Sequence, residues 1–177
     1  MRTSLNVYAG LSQLLAMLPA DSQQIADRLG SNRMTVRKWL RQLRAGGVVT
    51  FGAKHGRNGS RVVHLKPSTP FQPTGDRGAG TVGRFIDTWH AMVSRHTTAT
   101  LAAELEASTR TACTIVMHMR EHGLLRIAAW QVNGKTVTPA YDRLSGSDAP
   151  RPGPKPREEV NATYWRKYRA AGSEARG

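Results

Sequence analysis

Residues 118–122 read His-Met-Arg-Glu-His, the H-x-x-E-H pattern, in which two histidines at i and i+4 flank a glutamate able to act as a general base beside a catalytic zinc. Such a site also needs a third protein ligand and a cleft. Sliding the chain against itself by 76 positions aligns Met119 with the apolar Leu43 and Gly123 with Gly47, which puts Met119 on an inner helix face and His122-Gly123 at the end of that helix, so no metal ligand is assigned. Cys113, the single cysteine, sits on the same helix without a neighbouring base and reads as a small packing residue rather than a nucleophile. The chain holds neither a G-x-x-x-x-G-K-[ST] phosphate loop nor a G-x-S-x-G elbow, and the glycines of "GDRGAGTVG" fall in a linker instead of after a strand. These residues give no catalytic case and imply no cofactor; the chain is not expected to be an enzyme.

A different chemistry stands in "SNRMTVRKWLRQLRAGG", residues 31–47. Arg33, Arg37, Lys38, Arg41 and Arg44 lie within it, and no Asp or Glu does. An exposed helix built only for solubility normally intersperses carboxylates among its cations. With Val36, Leu40 and Leu43 turned inward, Asn32, Arg33, Arg37, Lys38 and Arg41 fall mainly on the outer side, with Thr35 near the amino-terminal end. Such a face suits a polyanion.

The whole-chain charge agrees. The 177 residues carry 26 Lys+Arg against 12 Asp+Glu, a formal +14, with a pI near 11.2. Residues 1–66 alone hold 11 Lys+Arg against 2 Asp+Glu, a balance of +9; residues 81–144 hold 7 against 5. Self-repulsion on this scale favours a polyanionic partner, with nucleic acid as the default. No stretch approaches the roughly 20 apolar residues of a membrane span, no secretory signal is recognised at the start, and one cysteine fits a cytoplasmic setting.

The elements that must position these residues can be read from periodicity and caps. Leu11, Leu14, Leu15 and Leu18 form a helical stripe ended by Pro19. Asp21 with Gln24 predicts a capping box for a second helix, and Gly30 the turn after it. Ser31 is the expected N-cap of a third helix, closed by Gly46-Gly47. Strand-like "VVTF" and "RVVHL" follow, joined by the basic "GAKHGRNGS".

This order resembles the winged helix-turn-helix family. Ala26 lies at the tight helix crossing, Gly30 in the turn, and Ile25, Leu29, Val36 and Leu40 in the shared core, with Lys54, His55, Arg57 and Arg61 on the hairpin that would be the wing. Shifting the chain by 76 positions matches Ala26 to Ala102, Leu29 to Leu105, Thr35 to Thr111, Arg44 to Arg120 and Gly47 to Gly123, while Ile25, Leu40, Leu43 and Val48 meet Leu101, Val116, Met119 and Leu124. Upstream, a shift of 75 pairs Leu11, Leu14 and Leu18 with Ile86, Trp89 and Val93. A second hairpin is expected around an Asn133-Gly134 turn, with Trp130 reading as core. The expected architecture is mainly α with small β-wings: two tandem winged helix-turn-helix domains at 1–66 and 84–144, a flexible linker at 67–83, and a disordered, Pro-rich basic tail at 145–177 that closes with a short helix.

The resemblance implies a third helix in the major groove. Arg33 and Arg37 would then pair with guanine and Asn32 with adenine, while Lys38, Arg41 and Arg44 meet phosphates. The second copy offers Ser108, Thr109, Arg110 and Thr114, with Lys135 on its wing; Cys113 and Met117 stand where the first copy has Arg37 and Arg41. Its alternatives are weak DNA contact, self-association or a protein partner. The implied function is sequence-specific duplex DNA binding by a transcriptional regulator of a bacterium or bacteriophage, in the host cytoplasm and away from the membrane. Two fused readers about 34 Å apart would suit a direct repeat. A DNA-bridging or origin-binding protein is the first alternative, and a protein-interaction adaptor without nucleic acid the second.

Overall fold

The computed structural model describes residues 6–55, 60–66, 80–133, 136–143 and 146–153, together with Glu158, Asn161, Ala162 and Tyr164. Among them lie six helices and two small antiparallel sheets. The first half runs α1 (Val7–Ala16), β1 (Ala20–Asp21), α2 (Ser22–Leu29), α3 (Arg33–Ala45), β2 (Val49–His55) and β3 (Ser60–Leu65). The second runs α4 (Thr81–Ala91), α5 (Thr98–Glu104), α6 (Thr109–Glu121), β4 (Arg126–Asn133) and β5 (Thr136–Asp142).

Local chemistry starts and stops these helices. The Asp21 carboxylate accepts from the backbone N–H groups of Gln23 and Gln24 while Gln24 Oε1 accepts from the Asp21 N–H, completing the expected capping box. Gly30 ends α2 in the left-handed region at φ 57°. The N-cap of α3 is Asn32 rather than Ser31: Asn32 Oδ1 accepts from the Met34 N–H at 2.8 Å, and an asparagine one position closer to the first turn reaches that donor directly. Strand β1 was not foreseen, being only two residues long; it pairs with β3, giving the sheet order β1-β3-β2.

The 76-residue shift reappears in the geometry. It carries Ser22, which opens α2, onto Thr98, which opens α5, and it superposes α3 on α6 end to end. Thr97 with Thr100 repeats the capping box, and Ser108 repeats the Asn32 cap. Gly47 and Gly123 both adopt positive φ, 73° and 70°. The strand register slips after Phe51 in the first hairpin and after Ile127 in the second, again 76 apart. Ala20, which pairs with Val63, has its counterpart in the isolated bridge between His96 and Tyr141.

The two halves share one continuous core. Leu11, Leu14, Leu15, Ile25, Val36, Leu40 and Leu43 of the first half join Phe85, Ile86, Trp89, Met92, Leu101, Ile115, Val116 and Met119 of the second. Helix α1 packs on α4 and on α6, and α3 packs on α4. At the last contact a Cβ placed on Gly46 would stand 2.6 Å from Ile86 Cγ2, and His90 Nε2 donates to the Gly46 carbonyl at 2.7 Å.

Several expectations are corrected by this packing. Helix α4 begins at Thr81, so residues 81–83 belong to the second half rather than to the linker. Val93 lies beyond α4 and is exposed, while Met92 takes the buried position. Cys113 is exposed on α6 and packs no core. Asn133 pairs with Thr136 and so belongs to β4, not to the turn. Trp130 is half-buried rather than core, and a segment expected to be free lies against it: Trp130 Nε1 donates to the Ala149 carbonyl at 2.9 Å, and the Arg151 guanidinium lies 5.6 Å from its ring centre. The same segment is pinned by Asp148, whose carboxylate accepts from the Ile127 N–H at 2.6 Å and from Arg120 at 2.8 Å, while the Ala149 N–H donates to the Ile127 carbonyl. Residues 146–153 therefore form a docked strap. Most of the expected closing helix, and most of the 67–83 linker, lie outside the described residues.

Candidate nucleic-acid interface

Helix α3 inserts Val36, Trp39, Leu40 and Leu43 into the core, which turns its other side outward. Thr35, Arg37, Lys38, Arg41 and Arg44 are exposed there. Arg33 is half-buried at the start of the helix, where α3 meets the hairpin. A cleft of about 370 Å³ opens at that seam, walled by Arg33, Arg37, Leu40 and Arg41 of α3, Phe51 of β2, Ser60 and Arg61 of β3, and Ser22 of α2. The Arg33 Nε is buried there without a hydrogen-bond partner among the described residues. None of the ion pairs among the described residues involves Arg33, Arg37, Lys38, Arg41 or Arg61. Four guanidinium groups around one cleft, uncompensated by carboxylates, make a site for an anion with several acceptor oxygens.

The sequence-nominated residues divide into two groups. Arg33, Thr35, Arg37, Lys38, Arg41 and Arg61 share one continuous surface, and Lys54 extends it along β2 as an exposed side chain paired in register with Arg61. Lys54 and Arg61 therefore stand on the strand ladder rather than in the connecting loop. His55 closes β2, but its side chain, like the whole of Arg57 and Lys135, lies outside the described residues. Asn32 Oδ1 accepts the Met34 N–H in its cap, a bond that uses one of its two lone pairs and neither Nδ2 donor. Arg44, exposed near the end of α3, stacks over the Phe51 ring at 5.3 Å.

Position by position, the second half presents a weaker version of this surface. The shift of 76 maps Ser22, Arg37, Leu40 and Arg41 onto Thr98, Cys113, Val116 and Met117, and these four line a corresponding cleft together with Arg120, Glu121 and Tyr141. Two guanidinium groups have become a thiol and a thioether, and Met117 is 48% exposed. Ser108 caps α6, and the Thr114 hydroxyl donates to the Arg110 carbonyl at 2.9 Å, so both hydroxyls serve the helix. Thr109 and Arg110 remain outward-facing. Here two arginines are partnered: Arg120 of α6 with Asp148, and Arg126, which opens β4, with the buried Asp142 at 2.9 Å. The hydrogen bond from the Ile127 N–H, followed by the Arg120 charge, holds Asp148 below the usual carboxylate range.

The H-x-x-E-H residues are drawn into structural contacts. His118 Nδ1 lies 2.9 Å from Glu121 Oε2, and its Nε2 lies 3.1 Å from Asn6 Nδ2 at the head of α1. Among the described residues no group of three or more His, Cys, Asp or Glu side chains could hold a metal ion. No described helix is long and apolar enough to cross a membrane. Ser22 and Ser60 were not singled out from sequence, because the cleft they line exists only once β3 is laid beside α2 and α3. No family model matches the chain, and no curated protein matches it.

Proposed function

We propose that the chain is a sequence-specific duplex DNA-binding protein of the regulator type, built from tandem winged helix-turn-helix units, with α3 as the reading helix and the β2–β3 hairpin as the wing. One observation carries this reading: Arg33, Arg37, Lys38, Arg41 and Arg61 form a continuous cationic surface with no described carboxylate compensating it. The helix, turn, helix and hairpin order, with β1 closing the sheet, supports the same unit. In this reading Arg37 contacts base edges, while Lys38, Arg41 and Arg61 bind phosphates and set the register.

The test is selection from a pool of random duplexes. The native chain is expected to enrich a motif, and Arg37→Ala to lose preference at one or two base positions while retaining much of its non-specific affinity. Failure to enrich any motif would remove the claim of sequence reading. The exposed thioether and thiol on α6 favour a second reading for that half alone, a protein-binding face.

A further inference from the structure

From the way the two halves pack, we infer that this single chain is built like a two-fold dimer, and that its target is an inverted repeat with one strong and one weak half-site. Under the 76-residue correspondence α1 becomes α4 and α3 becomes α6. The contact of α1 with α6 is therefore the image of the contact of α4 with α3, and both are present, with α1 and α4 packed on each other between them. Reciprocity of helix pairs is what a two-fold arrangement produces, in which one patch meets its own equivalent. A head-to-tail arrangement would use two different patches, so one of these contacts would lack its image. The two contacts are anchored by different side chains, His90 Nε2 on the Gly46 carbonyl and Ile86 against Gly46 at one, Asn6 with His118 at the other, so the reciprocity is one of helices rather than of individual residue pairs.

Duplex DNA has its own two-fold axes, and two reading helices related by such an axis meet half-sites of opposite orientation. The direct-repeat expectation drawn from two fused readers is thereby replaced. The half-sites are unequal because the reading positions are unequal: Arg33, Arg37 and Arg41 of α3 stand where α6 has Thr109, Cys113 and Met117. The arginines favour guanine edges and phosphates, whereas an exposed thioether offers an apolar contact of the kind a thymine methyl accepts.

This inference rests on the DNA-binding reading, and its test separates the two. Sites are selected from random 40-base-pair duplexes with the full chain, and the number of chains per duplex is measured by native mass spectrometry. One chain per duplex on an imperfect inverted repeat is expected, and reversing the weak half-site should lower affinity about tenfold. A gain-of-function variant adds a readout that mere structural damage cannot give. Cys113→Arg with Met117→Arg restores the first half's cations at two exposed positions, and is expected to bind a perfect palindrome of the strong half-site at least about tenfold more tightly than the native chain. A selected direct repeat, or a variant that gains on the direct repeat and not on the palindrome, overturns the inference and leaves DNA binding standing. No complex of the native chain with any duplex at low salt overturns both.

Discussion

Replacing Glu106 by glycine should stabilise the protein. Glu106 follows α5 with φ 47°, the counterpart of Gly30, which follows α2 with φ 57°. A side chain in the left-handed region costs about 1–2 kcal/mol, because Cβ crowds the following carbonyl oxygen. Glycine removes that cost but adds about 0.4–1 kcal/mol of chain entropy to the unfolded state. The net expectation for Glu106→Gly is a gain of about 1 kcal/mol, which in a chain of this size raises Tm by about 2–4 °C. Gly30→Ala runs the exchange in reverse. A Cβ at Gly30 meets no atom within 4 Å, so its cost is conformational, with no packing contribution, and Tm should fall by a similar amount. The double variant should melt close to the native chain. Thermal unfolding followed by circular dichroism, with urea midpoints as a check, reads all three. A Glu106→Gly chain that melts below the native one, or a Gly30→Ala chain that melts with it, refutes the equivalence of the two turns.

Three further outcomes are expected. Asn32→Ala should cost about 1 kcal/mol through loss of the α3 cap while Ser31→Ala costs much less, a comparison that chemical denaturation resolves. Gly46→Ala should destabilise by about 1–3 kcal/mol, because its new methyl meets a stiff, buried Ile86 at the seam between the halves; the urea midpoint reads this, and Gly47, where a Cβ has room, is unsuitable as a control because of its positive φ. The carboxyl of Asp148 is depressed in the folded chain, so its contribution is fully present above the ordinary carboxylate range and disappears as the pH falls through its lowered folded value. Asp148→Asn should accordingly flatten the acid limb of the Tm–pH profile and leave the limb above neutrality unchanged in shape.

Much of the architecture was legible because it depends on local signals. The Asp21–Gln24 box, the Gly30 turn and the Gly46-Gly47 stop are short-range chemistry, and the leucine stripes of α1 and α3 are plain periodicity. The 76-residue repeat is legible for the same reason, since both copies keep the same core spacing and matching residues such as Ala26 and Ala102 or Gly47 and Gly123. What escaped depends on distant contacts. Trp39 stands outside the expected inner face of Val36, Leu40 and Leu43, yet it is buried with them, three residues after Val36 and four before Leu43. The fusion of the halves into one core depends on α1, α4 and α6 meeting, which no single stripe encodes. The strap was read as free because four prolines and alternating charges mark an extended chain, and an extended chain can still dock when a carboxylate such as Asp148 finds a strand N–H and an arginine. On the site itself, the cations of α3 are plain from sequence, whereas the hydrogen bonds of Asn32 and Ser108 at helix N-termini and of Thr114 to the Arg110 carbonyl within α6 required coordinates.

The central claim is that the α3 surface neutralises DNA phosphates, and the salt dependence of duplex affinity tests it most directly. Each phosphate contact contributes about 0.9 to the slope of log K against log salt concentration. The native chain should show a steep slope, and Lys38→Ala with Arg41→Ala, both at exposed positions, should lower it by about 1.8 while weakening binding across sequences. A double variant with the native slope and the native affinity would contradict the account, because those cations would then face only solvent.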